Sequence, residues 1–260
     1  MPRIALPTPD PDKADLKELL CFLGLQRTAD NYPALIEAAE KGNWSHLKFL
    51  EAVASDETAI KRERSIQARI AQARFPVVKT IDSFDFAFPN HVPRGKVLAA
   101  LSLQFLDRQE GFVFMGPPGT GKTHLALAVG YAACLRGVRT IWTNAVDMVN
   151  HLQAAAADHS LHEALKTYAS PRLLICDEVG YLPFDQRGAD LFFQVVSARY
   201  ERGSLIVTTN RPFKDWGKIF HDNTVASAIV DRIAHHSELI KIDGGSYRIK
   251  DRRSKMNNDQ

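Results

Sequence analysis

The chain has 260 residues, 45% hydrophobic and 24% charged, a balance that suits a folded protein with a real core and excludes a disordered or fibrous one. A formal net charge of +3 is too mild to argue for a nucleic-acid partner by itself. Cys21, Cys134 and Cys176 are scattered and odd in number, so neither a disulfide framework nor a zinc-ligand spacing can be read from them. The opening MPRIALPTPDPD lacks the apolar stretch of a secretory signal, and no apolar run approaches the roughly 18 residues of a membrane helix. A cytoplasmic protein without membrane contact is expected.

Residues 1–12 carry Pro2, Pro7, Pro9 and Pro11, and are expected to form an extended or disordered arm. From residue 13 to 74 the pattern is helical. Leu16, Leu19, Leu20 and Leu23 recur at i, i+3, i+4 and i+7, Leu35, Ile36 and Ala39 mark a second helix, and Leu47, Leu50 and Ala54 a third that runs on toward Ala73. Asn31-Tyr32-Pro33 and Gly42-Asn43 punctuate them, with proline suited to a first helical turn. Phe75-Pro76-Val77-Val78 then ends the helical zone.

Beyond residue 81 strands and helices alternate. Apolar strands are expected over residues 111–115, 139–143, 172–176 and 204–209, and helices over 123–135, 145–157, 161–168 and 189–202. Continuous apolar strands alternating with helices indicate a parallel sheet covered on both faces. Phe84, Phe86 and Phe88 alternate as in a strand edge or an apolar clasp. Trp142 and Trp216 read as packing residues, Cys176 as a small buried residue, and His235-His236 as surface or partner contact, not a metal site.

Directly after the first strand comes Gly116-Pro117-Pro118-Gly119-Thr120-Gly121-Lys122-Thr123, the G-x-x-x-x-G-K-[ST] phosphate loop. Its glycines let backbone N–H groups converge on phosphate oxygens, and the following helix aims its positive end at the same anion. Lys122 adds a full charge at the β and γ phosphates of ATP, and the Thr123 hydroxyl can bind Mg²⁺. The nucleotide-binding set ends with His124, the first residue past the motif. Leu173-Leu174-Ile175-Cys176-Asp177-Glu178 is an apolar strand that delivers two acids at its carboxyl end, where ligands of open α/β sheets sit. Asp177 would hold Mg²⁺ and Glu178 would polarise the attacking water.

GPPGTGKT, LLICDE and IVTTNR together resemble an AAA+ ATPase. HLALAVGYAACLRGVRTIWT, CDEVGYLPFD and VASAIVDRIAHHSELIKIDGGSYR narrow the resemblance to the IstB/DnaC-type branch, closest to its insertion-sequence transposition helpers. The fold implied is a P-loop NTPase α/β sandwich over residues 75–250, a parallel sheet between helices with a short C-terminal lid. A small helical DNA- or partner-binding domain at 13–74 precedes it, and a basic tail at 251–260 follows.

The resemblance makes Asn210 the residue that senses the γ phosphate, Arg232 an arginine finger acting on a neighbouring subunit, and Arg248 a second sensing arginine. Read from the residues alone, Asn210 either orients a water or caps the turn before Pro212, and Arg232 is either a finger or a surface arginine. The catalytic set is therefore Lys122, Glu178, Asn210, Arg232 and Arg248.

Lys61, Arg62, Arg64, Arg69 and Arg74 on one helical segment, and Arg248, Lys250, Arg252, Arg253 and Lys255 in the tail, could meet phosphate backbone or simply be solvated. The resemblance implies an ATPase that forms homo-oligomers on double-stranded DNA, with ATP at subunit interfaces, and assists a transposase. It also implies that the helix after the second core strand, near residues 144–157, lines the DNA path, although that stretch carries almost no cations. A helicase loader and a nucleotide-switched DNA scaffold with little turnover are the alternatives.

Overall fold

The structure, a computed structural model, describes residues 14–88, 91–247 and 249. The proline-rich arm at 1–12, Arg248, Lys250 and the basic tail at 251–260 lie outside the described residues. The chain divides into two compact units, Met1–Gln67 and Ala68–Gln260.

The first unit is helical: α1 (Leu16–Phe22), α2 (Gln26–Lys41) and most of α3 (His46–Gln72). Asp15 caps α1 by accepting from the Glu18 N–H at 2.7 Å. The break before α2 falls at Gly24, not at Asn31-Tyr32-Pro33. Gly24 takes φ +72°, and the Leu25 N–H reaches back to the Leu20 carbonyl at 2.9 Å, a glycine-terminated helix end. Pro33 lies inside α2, contrary to the punctuation expected there. A proline forfeits one intrahelical hydrogen bond, and the helix runs through it. Asn43, at φ +47°, ends α2 where Gly42-Asn43 predicts.

The second unit is a five-stranded, wholly parallel sheet in the order β2-β3-β4-β1-β5, formed by β1 (Gly111–Met115), β2 (Thr140–Asn144), β3 (Leu173–Val179), β4 (Ser204–Thr209) and β5 (Ser237–Lys241). The helices are α4 (Arg94–Ser102), α5 (Lys122–Leu135), α6 (Ala145–Ala157), α7 (Leu161–Ala169), α8 (Gln186–Arg199) and α9 (Asn223–His235). Strand residues alternate between two cores. Phe112, Phe114, Leu173, Ile175 and Ile206 face α4 and α5, whereas Val113, Leu174, Cys176 and Val207 face the side of α6 to α9. The sheet is therefore sandwiched, as the alternation of apolar strands and helices predicts.

Strand β5 has no counterpart in the sequence reading. Only Ile240 on it is buried, and the strand forms because β1 offers an unpaired edge in parallel register. Residues 84–88 form no strand. Phe84 instead meets Phe86 and the His124 ring edge-on, at 4.9 and 5.3 Å between centroids, which is the apolar clasp. Trp216 is fully buried, as expected of a packing residue.

One feature of the core gives no sequence signal. Arg199, 2% exposed, donates to the carbonyls of Tyr168, Ala169, Pro171, Arg172 and Ser204, tying together the chain that enters β3 and β4. Burial pulls its guanidinium down to about 10, still charged at neutral pH.

Candidate active site

The parallel sheet puts all strand carboxyl ends on one side, and the loop between β1 and α5 crosses there. Gly119 and Gly121 have φ of +80° and +92°, conformations that residues with a Cβ avoid. A Cβ at Gly116 would meet the Ile242 carbonyl oxygen at 2.1 Å, so the loop also needs glycine where β5 leads away. Thr120 Oγ1 and Lys122 Nζ donate to the Pro117 carbonyl at 2.9 and 2.7 Å, which draws the ammonium into the curve of the loop. Gly121 begins α5 without a side-chain cap, so the first amides of that helix are available to an anion.

The acid pair is built from three strands. Thr123 Oγ1 donates to Asp177 at 2.9 Å (Oδ1) and 3.1 Å (Oδ2), and Thr208 Oγ1 donates to Asp177 Oδ1 at 2.5 Å. The same Thr208 oxygen accepts the Glu178 backbone N–H at 2.9 Å. Glu178 sits at φ +59°, a strained conformation for a residue other than glycine, and projects from the sheet as an exposed side chain. Asn144, opposite Asp177 in the β2–β3 register, donates from Nδ2 to Glu178 Oε2 at 2.8 Å. Its Oδ1 meanwhile accepts from the Val146 N–H and caps α6.

Burial pushes the Asp177 carboxyl above the usual carboxylate range. The adjacent Glu178 charge adds to that, and the hydrogen bonds from Thr208 and Thr123 oppose it. A buried carboxylate whose charge is disfavoured, beside a threonine hydroxyl, is an all-oxygen donor pair suited to Mg²⁺. Burial likewise raises the Cys176 thiol far above its ordinary value, which leaves it inert beside the acids.

A cavity of about 530 Å³ joins these parts. Pro118, Gly119, Gly121, Glu178 and the exposed Asn210 line it, with Phe84 and Tyr247 beside the loop glycines. His124 lines it too, its Nε2 3.0 Å from the Thr80 carbonyl and 3.3 Å from Ser83 Oγ, while burial lowers the imidazole below its ordinary value.

Thus Lys122, Thr123, His124, Asp177, Glu178 and Asn210 come together. Arg232 does not. Its guanidinium lies 4.6 Å over the Phe193 ring and donates to the Ala228 carbonyl, near Gly111 and Leu205, where β1 and β4 begin. Arg248 lies outside the described residues. Sequence reasoning missed Asn144 and Thr208. A polar residue closing the TIWTN strand and a hydroxyl two positions before Asn210 were the available signals.

The sequence pattern of the IstB-like ATP binding protein family matches residues 18–255. The chain belongs to that family. It is 40% identical over 241 residues to an ATP-binding protein of insertion sequence IS5376 from Geobacillus stearothermophilus, covering 93% of this chain and 96% of that one. With an ATP-binding protein of insertion sequence IS21 from Pseudomonas aeruginosa the identity is 38%, covering 92% and 90%. Among solved structures, the DnaC helicase loader shares the fold, with a TM-score of 0.53 at 22% identity over 63% of this chain and 96% of that one. The α/β architecture of this IstB-like protein is accordingly a P-loop NTPase fold of the AAA+ type, and its nucleotide is ATP. No described helix is long and apolar enough to cross a membrane.

Proposed function

We propose that this IstB-like protein hydrolyses ATP with Mg²⁺, assembles as a homo-oligomer with ATP between subunits, and acts on double-stranded DNA in support of a transposase. The hydrogen-bonded chain from Thr123 through Asp177 and Thr208 to Glu178, closed by Asn144, carries this reading. A protein that only binds nucleotide has no need of a strained glutamate held in place at its backbone and at one carboxylate oxygen.

In this reading Lys122 leaves the Pro117 carbonyl for the β and γ phosphates, and the α5 amides receive phosphate oxygens. Thr123 and Asp177 hold Mg²⁺, which would neutralise charge on the phosphates. Asn144 fixes Glu178 Oε2, and the other carboxylate oxygen takes a proton from water as the water oxygen bonds to the γ phosphorus. The bond to the bridging oxygen breaks, and ADP leaves. Asn210 orients that water.

Arg232, remote from its own cavity, serves the ATP of a neighbouring subunit. The helical residues 13–74 meet DNA or a protein partner. The insertion-sequence relatives support the transposition role.

The test is complementation between two inactive variants. Glu178→Gln lacks the base and keeps its arginine, whereas Arg232→Ala keeps the base. A mixture should hydrolyse ATP faster than the sum of the two alone, because some interfaces then hold both groups. A mixed assembly that never exceeds that sum rejects a finger acting in trans. Gel filtration with duplex or single-stranded DNA, with and without ATP, tests assembly, and a preference for single strands would favour a loader instead.

A further inference from the structure

A second polar cavity, of about 380 Å³, lies at the opposite end of the sheet from the phosphate loop, beside the start of β2. Arg69, Arg74 and Arg139 line it together with Thr167. No acidic residue is among its lining residues. Arg69 stands in the last turns of α3, Arg74 just past that helix, and Arg139 directly before β2.

A backbone hydrogen bond from the Trp142 N–H to the Ala73 carbonyl, 2.8 Å, anchors the end of α3 to the β2 edge and holds Arg74 and Arg139 at one groove. Arg74 takes φ +60°, the left-handed position past a helix end that glycine usually fills. An arginine occupies it here despite the strain.

The three guanidinium groups share one groove with no carboxylate, unlike the ion-paired cations of this unit. Lys96, Arg108 and Lys218 each face a carboxylate, Glu238, Glu110 and Asp215. Among the described residues, none of Arg69, Arg74 and Arg139 forms an ion pair. Cations gathered without a counter-charge repel one another unless an anion joins them. Guanidinium forks match phosphate oxygens in pairs, which a set of scattered lysines does not.

We infer that Arg69, Arg74 and Arg139 form a subsite for the phosphodiester backbone of duplex DNA, separate from the ATP site. This rests on the duplex-DNA reading above and assigns residues to it. The groove is open and has few apolar lining residues, which suits a solvated phosphate strand better than an acidic protein helix. Arg69 and Arg74 are basic residues of a helical segment in the sequence. That Arg139, far along the chain, completes the set is decided by the fold. Contacts of this kind position DNA without reading its sequence.

The test uses the full chain with ATP and Mg²⁺ and a fluorescent duplex of arbitrary sequence, titrated by anisotropy across a range of salt. The triple variant Arg69→Gln, Arg74→Gln, Arg139→Gln should weaken binding roughly tenfold or more, and flatten the slope of log K against log salt by about 2 to 3. ATP affinity should be unchanged, which also reports that the variant is folded. A charge-matched control, Lys96→Gln, Arg108→Gln, Lys218→Gln, should leave the slope near that of the wild type.

If the triple variant folds poorly, Arg139→Glu alone should still lower duplex affinity, since Arg139 is exposed at a strand start. Wild-type binding with unchanged affinity and slope in the variants overturns the groove assignment alone, as does an equal loss in the control. The same is true if poly-glutamate binds at the groove more tightly than duplex. Failure of the wild-type chain to bind duplex at all overturns the DNA reading and the groove with it.

Discussion

The two units of this chain bury very different things. Among the described residues of Met1–Gln67, only Thr28, Ala29 and Glu57 are buried, whereas Ala68–Gln260 holds two full cores on either side of a sheet. Leu16, Phe22, Leu23, Leu47 and Leu50 of the first unit are between 46% and 66% exposed. The leucines at i, i+3, i+4 and i+7 do predict a helix, but a stripe is only half of a core. The other half must come from an opposing face, and a chain near 60 residues buries only about 60% of its unfolded surface. In the second unit the strands β1, β3 and β4 find helices on both sides, so the same kind of apolar residue is enclosed there.

On this contrast, nucleotide chemistry is expected of the second unit alone. Glu178→Gln should bind ATP yet turn it over roughly 10²-fold more slowly or worse, as measured by phosphate release. Lys122→Ala should lose tight nucleotide binding. Wild-type turnover in the first variant would remove the role given to Glu178.

Stability should separate the units next. Arg199→Ala strands five carbonyls at the strand entrances and should cost roughly 3–5 kcal/mol, lowering the melting temperature of this chain by about 10 °C. A shift of a degree or less would mean that water replaces the guanidinium. In the first unit, Glu57 accepts from the Thr28 N–H and hydroxyl at 3.2 and 3.3 Å and joins α2 to α3. Glu57→Ala should cost about 1–3 kcal/mol, read as faster hydrogen exchange in α2 with the sheet amides unchanged. Equal acceleration in the sheet would show that the units unfold together.

Asp177→Asn should have a smaller effect of opposite sign. The folded carboxyl titrates above its unfolded value, so its contribution to stability is present at acid pH and is lost as pH rises through the raised value. At neutral pH the buried charge therefore destabilises the fold without metal. Asparagine should raise stability by on the order of 1 kcal/mol there, with the gain vanishing in acid, while Mg²⁺-dependent ATP binding is lost. A gain that persists in acid would point to packing instead. The smallest effect is expected for Leu47→Gln with Leu50→Gln, within about 0.5 kcal/mol by thermal melting, since neither side chain is enclosed within its unit. A large loss would reveal a partner surface already occupied in solution.

The candidate nucleotide site was legible in the sequence because its parts are contiguous. The phosphate loop is one unbroken run that sets its own backbone, begins a helix and carries the lysine and threonine side chains with it. Asp177 and Glu178 are announced by the apolar strand that carries them. What joins these parts depends on register. Asn144 reaches Glu178 only because β2 pairs with β3 in the register that sets Asn144 opposite Asp177. Thr208 reaches both acids only because β4 lies beside β3.

Strand β5 forms against an edge, and α2 passes through Pro33 because its chain break falls at Gly24 instead. Arg199 and the Arg69–Arg74–Arg139 groove are likewise assembled from residues far apart in the chain. A local motif specifies its own backbone and charge, so the sequence by itself determined the ATP loop and the strand that ends in two acids. Hydrogen bonds between strands depend on which edge meets which, and that is decided only when hydrophobic burial has brought the edges together.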